Sequence, residues 1–566
     1  MRLINTQTGL FEEFVGTNMP KYAILSHTWD EDEVSFAAMA MGSCHHLKGH
    51  QKIAATCRIA SESGLNYAWI DTCCIDKSSS SELSEAINSM YRWYQRSEIC
   101  YVFLSDLPAD SMTGNSLKRC RWFTRGWTLQ ELIAPRKISF FDQVWKYRGS
   151  KDDLISLISE ITGISLTILQ GSQPLKSVAV AQKMSWAAHR ETTRVEDKAY
   201  SLFGIFDVNM PLLYGEEEKA FRRLQEEIIK STADFSIFAW RLPSPITSPS
   251  DHKGAVFCGI LAPSPRYFAE SRFLLKMPGQ VWQDFSVTNN GIRMESQILC
   301  ERVLDKDAFR YILPLHCRDP MVPVGVRIRM CGPSQYVRED PWDFVKVIRP
   351  LSPRTSRVKY LLTELSAIGI YTPSALFRSI AETRSHALQI HLPVGMSVTD
   401  AWPLDRFDDQ DRVFFTSGDV GRDSAVVNLT TTVQVSPGQN ITFRSMFYAL
   451  GWSSLDDQQL QCSIVDYGVY GFTPARVDEA QTEISKWDYD RYTVSHILIK
   501  RKIPKTSAVS FEIPGSTKAA VVSFRTNVVR DPDVSQNRFW RIEFSCGIYE
   551  AQQVPNFHDG TWRCHD

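Results

Sequence analysis

Apolar and polar positions along the first 150 residues fall into two alternating textures. Tyr22–Trp29 (YAILSHTW), Asn66–Ile75 (NYAWIDTCCI), Ile99–Asp106 (ICYVFLSD) and Lys137–Asp142 (KISFFD) open as short apolar runs. Runs of this kind suit strands buried on both faces. Between them the apolar positions recur at helical spacing. A helix-like stretch covers Lys52–Ser63, and a second carries Leu83, Ala86, Ile87, Met90 and Tyr94 on one side. Ser79 and Glu82 have the spacing of a capping box ahead of it. Arg121–Pro135 (RWFTRGWTLQELIAP) reads as a short helix closed by its proline. The alternation predicts an α/β domain over residues 1–150, a parallel sheet covered by helices. Its strands are expected at Tyr22–Ser26, Tyr67–Asp71, Cys100–Leu104 and Lys137–Phe141.

Residues 151–241 read as a helical segment, with an amphipathic pattern from Glu216 to Lys230 that gathers Ala220, Phe221, Leu224 and Ile228. Leu242–Ser250 is rich in proline and serine and reads as a linker. From 251 to 566 the texture changes. RYILPLHCR, VPVGVRIRM, NLTTTVQV, AVVSFRTNVV and RFWRIEFSCGIYE are β-branched and aromatic runs between turn signals. They predict a mostly antiparallel β domain.

Composition narrows the function. The 63 basic and 64 acidic side chains leave a net charge of −1, so no nucleic-acid partner is expected. No apolar stretch approaches the length of a membrane span, and acidic residues stand where a leader would be apolar. The 13 cysteines are odd in number and scattered, which fits a reducing, cytoplasmic setting. Cys44, His45, His46 and His50 lack a second ligand pair at a recognised spacing, so no metal centre is expected.

Three groups carry candidate chemistry. Ser26, His27 and Trp29 end the first strand, where open parallel sheets bind ligands; the same residues would also serve to cap the strand. Asp71 lies inside an apolar run, a costly place unless it is paired. It is either a ligand or catalytic carboxylate, or a structural partner of an arginine or a helix N-terminus. Cys73 and Cys74 beside it read as buried thiols. Glu131, in Arg125–Leu132 (RGWTLQEL), avoids the face of Leu129, Leu132 and Ile133 and shares a face with Trp127. That carboxylate suits a sugar hydroxyl or a cation, or simply a solvated surface. Arg125 belongs to a basic cluster with Lys118, Arg119 and Arg121.

The blocks YAILSHTWDEDEVSF, YAWIDTCCIDKSSSSELSEAINSMYRWYQRSEICYVFLSD and RGWTLQELIAP together resemble the fungal heterokaryon-incompatibility (HET) domain. Arg194–Trp240 resembles the segment that follows many such domains. The resemblance implies nonself recognition and a programmed cell-death output. The strand–helix order and GWTLQEL also resemble the TIR fold, a flavodoxin-like sheet, whose glutamate motif aligns with Trp127 and Glu131; Thr128 stands where TIR domains carry cysteine. This second resemblance implies NAD glycohydrolase chemistry, with Glu131 catalytic and Ser26, His27, Trp29, Asp71, Arg125 and Trp127 around the substrate. NAD would then be a substrate, with no bound cofactor. The alternative is a non-catalytic module that signals by self-association or by binding an incompatibility partner protein.

Overall fold

The computed structural model describes residues 1–16, 18–109, 114–243 and a series of stretches between 256 and 550; the longest segments outside it are 363–386, 467–507 and 551–566. Residues 244–250 of the expected linker also lie outside the described residues.

Seven strands form the first sheet: β1 (Arg2–Asn5), β2 (Phe11–Glu13), β3 (Ala23–His27), β4 (Tyr67–Trp69), β5 (Ile99–Phe103), β6 (Ile138–Phe141) and β7 (Tyr147–Ser150). The spatial order is β2-β1-β4-β3-β5-β6-β7. The four expected strands are its centre and pair in parallel. The sheet as a whole is mixed, because β1, β2 and β7 add antiparallel pairs at its edges. The second strand is also shorter than expected. It stops at Trp69, and Asp71 opens a one-turn helix instead.

The helices of this half are α1 (Phe36–Ala40), α2 (Lys48–Glu62), α3 (Asp71–Cys74), α4 (Ser80–Arg96), α5 (Gly114–Lys118) and α6 (Thr128–Ile133). Ser79 does cap α4, accepting from the Glu82 amide at 3.3 Å. The Glu82 carboxylate does not return the bond; it accepts from the Asp76 amide and from Arg2. From β3 the chain moves to β4 on one side, then back across β3 to β5 on the other. Right-handed crossovers in opposite directions place α2 and α4 on opposite faces. The hydrogen bonds agree: Tyr101 of β5 reaches Ser63 at the end of α2, while Tyr94 of α4 donates to the Leu25 carbonyl.

The following segment is helical, with α7 (Ile155–Thr162), α8 (Leu166–Leu169), α9 (Val180–Ser185), α10 (Asp197–Tyr200), α11 (Phe203–Phe206) and α12 (Lys219–Ser231). On α12 the expected stripe of Ala220, Phe221, Leu224 and Ile228 is buried. Its buried Gln225 exchanges two hydrogen bonds with the Ala262 backbone, at 2.8 and 2.9 Å. Beyond it all five β-branched runs are strands, distributed over three predominantly antiparallel sheets. Two pairings there are parallel, 335–339 with 359–361 and 388–391 with 538–550. Arg338, wholly buried, donates to the Phe238 and Trp240 carbonyls at 2.7 and 2.6 Å and lies over the Trp240 ring. One buried apolar cluster therefore runs from Leu3 through the helices to Leu361 and Phe415, and a second holds residues 388–544.

Candidate functional site

Ser26 and His27 are adjacent on β3, so the strand's two-residue period sends them to opposite faces. Ser26 faces α4 and α6. Its hydroxyl donates to the Glu131 carboxylate and accepts from the Trp122 indole at 2.7 Å. His27 faces α2. Its ring nitrogens lie 3.5 Å from Glu33 and 3.9 Å from Asp71, at ion-pair rather than hydrogen-bond distance. Grouping Ser26 and His27 around one ligand thus joins two layers of the sheet. Asp71 is where the layers meet: it accepts from Trp29 Nε1 at 2.9 Å and is felt by both His27 and Glu131.

Glu131 is not on a solvated face. Every residue of α6 from Thr128 to Ile133 is buried, because the chain beyond residue 185 packs over the side that an isolated helix would expose. Burial raises the Glu131 carboxyl to about 8, and Asp71 adds to the rise; Ser26, Arg125 and Tyr94 oppose it. An ionised carboxylate here loses more hydration than its partners return. Arg190 supports the helix start from across the fold. Its guanidinium is buried, and Nη1 donates to the Arg125 carbonyl at 2.8 Å and to Thr128 Oγ1 at 2.9 Å. Burial lowers Arg190 to about 10, while the nearby Glu131 favours its charge.

Trp127 does not accompany Glu131. Its backbone is already helical at the start of α6, but its indole donates to Asp197 at 3.3 Å while the Glu131 carboxylate accepts from Ser26. The Gly126 amide bonds the Glu191 carbonyl at 2.8 Å, and an added Cβ would meet Thr192 at 2.5 Å. That close approach explains the glycine of the RGW block. Arg125 is half-buried, with its charge near Glu131.

The outer side of the site is polar and aromatic. Trp29 is 39% exposed, and the Lys77 ammonium lies 3.6 Å from the centre of its ring. On the α2 face, the buried Lys52 donates to the Thr28 carbonyl at 3.2 Å, to Asp30 at 2.8 Å and to Glu33. Burial alone would raise Glu33; His27 and Lys52 overcome it and pull the carboxyl down to about 2. Cys73 is held well above the usual thiol range by hydrogen bonding with the Cys74 thiol and by burial, which denies it thiolate reactivity. All cysteines among the described residues are free thiols.

Trp122, Tyr94, Lys52, Glu33 and Arg190 were not legible as site residues. Trp122 carried only an aromatic signal, and Arg190 lies 59 positions from Glu131 in sequence with no local pattern around it.

Residues 22–118 match the family described as Heterokaryon incompatibility protein (HET), so the chain contains a HET domain. The match ends before Glu131. Residues 219–300 match a domain of unknown function, DUF8212. The chain is 49% identical over 222 residues to Vegetative incompatibility protein HET-E-1 of Podospora anserina. That alignment covers 38% of this chain and 16% of the relative, so the chain spans a small part of the relative's length. No solved structure matches the chain. Among the described residues no helix is long and apolar enough to cross a membrane.

Proposed function

We propose that this protein acts in heterokaryon incompatibility, and that its HET domain triggers cell death by hydrolysing NAD inside the cell. The observation that carries the chemistry is the bond between Ser26, at the carboxyl end of β3, and Glu131 of α6. It lies at the end of β3, the strand from which one crossover runs to β4 on one side and across which the next returns to β5 on the other. Ligands of open α/β sheets bind at such switch points. Counted among themselves, the central strands run second-first-third-fourth, the order of flavodoxin-like folds, which supports the TIR likeness.

Cleaving the nicotinamide–ribose bond passes through an oxocarbenium-like state. Nicotinamide is cationic in NAD and leaves with the bond electrons as a neutral ring, so no proton donor is needed. Water completes the reaction at the ribose carbon and releases a proton. In this reading Glu131 stabilises the positive charge that develops on the ribose, Ser26 and Trp122 fix its orientation, and Trp29 offers a face for a ring. Glu131 holds its proton to about pH 8 in the free protein. A cationic substrate beside it favours the carboxylate, so cleavage should rise with pH towards that value.

The burial of Glu131, 7% exposed, also favours a second reading. There the carboxyl is a structural pin and the domain signals through self-association or a partner. Purified full-length protein incubated with NAD separates the two. Nicotinamide release that disappears in Glu131→Gln supports hydrolysis; no release from the folded protein supports signalling by interaction.

A further inference from the structure

The loop between α1 and α2 gathers three side chains that bind transition metals. The ligand atoms of Cys44, His45 and His50 all lie within 4.8 Å of one another. The backbone explains the convergence. A turn closes from the Leu47 amide to the Cys44 carbonyl at 3.0 Å, and the His50 amide bonds the Leu47 carbonyl at 3.0 Å. His50, in the first turn of α2, is thereby folded back beside Cys44. The rings of His45 and His50 meet edge to face at 4.6 Å. Cys44 is buried, with its thiol 3.7 Å from the Met39 thioether, whereas His45 is exposed. The group has a fixed floor and an open outer side.

We propose that Cys44, His45 and His50 bind a zinc-class divalent ion, with water in the fourth position. One thiolate and two imidazoles form a borderline-soft donor set that selects zinc over magnesium or calcium, whose preferred ligands are oxygens. Zinc bonds of about 2.0 Å to nitrogen and 2.3 Å to sulfur place these tetrahedral donors roughly 3.3–3.5 Å apart. The cluster needs to close by about 1 Å, and exposed His45 is free to supply most of that movement by changing rotamer. Binding would clip the loop to the start of α2. That start already touches the site: the Gly49 amide bonds the Asp32 carbonyl at 2.9 Å, and Lys52 one turn later holds Glu33. The inference is independent of any NAD chemistry.

The test uses the full chain, stripped of metal and titrated with zinc against a chromophoric chelator. Cobalt replaces zinc in a parallel titration to report thiolate ligation by its charge-transfer absorption. The expected result is one equivalent of zinc, a thiolate band with cobalt, and a zinc-dependent rise in unfolding temperature that magnesium does not produce. His45→Asn and Cys44→Ser should each weaken binding at least about 100-fold, since even outer-shell changes cost 10–100-fold. His45 is exposed, so its variant keeps the test decisive if Cys44→Ser fails to fold. His46→Asn, in the same turn but outside the cluster, should bind as the parent does. No stoichiometric uptake, or uptake that survives His45→Asn, overturns the proposal.

Discussion

Replacing Glu131 by glutamine should stabilise the protein at alkaline pH. The folded state holds the Glu131 proton to about 8, against 4.5 for an ordinary glutamate. Between those values the folded state binds one more proton than the unfolded state. Folding stability from this group is therefore complete near pH 4.5, falls as pH rises, and is lost by about pH 8. At about 1.4 kcal/mol per pH unit across that window, the penalty is on the order of 3–5 kcal/mol. Glutamine is neutral throughout and its amide oxygen still accepts from Ser26. The variant should match the parent near pH 5 and exceed it by several kcal/mol at pH 8.5. Urea unfolding followed by tryptophan fluorescence measures this, with Trp122 reporting from beside the site. Parallel pH profiles in the two proteins would refute the burial argument. In the NAD assay, the same substitution should lower the rate about 10²–10³-fold if Glu131 stabilises the transition state.

Trp122→Phe removes the indole donor to Ser26 from a fully buried position. It should cost about 1–3 kcal/mol in denaturant unfolding and reduce NAD cleavage further than an equally destabilising change elsewhere. Glu33, held near 2, contributes stability that is present above pH 4.5 and lost as pH falls towards 2. Glu33→Gln should destabilise by about 1–3 kcal/mol at pH 7 and flatten the acid limb of the unfolding curve. Gly204→Ala would place a methyl group in collision with Tyr91, where α11 packs on α4. It should cost at least about 1–3 kcal/mol by thermal unfolding, although alanine is the better helix former.

The sequence by itself determined the central elements. Short continuous apolar runs suit strands buried on both faces, so the four central strands were legible to within a few residues, as were the stripe of α12 and the cap at Ser79. It also marked Asp71 as a polar group in apolar surroundings that needed a partner, and Ser26 and Glu131 as candidate chemistry at a strand end and on the polar side of a helix. The choice of partner belonged to the tertiary structure. The pleat sends Ser26 to Glu131 and Trp122, and His27 to Glu33, which Lys52 also holds. Asp71 pairs with an indole and an imidazole rather than with an arginine. The periodicity of α6 implied an exposed carboxylate, yet Glu131 is buried because Arg190, Glu191 and Asp197 bring a distant segment across that face. Local spacing encodes which side of a helix is polar; only long-range packing decides whether that side meets water.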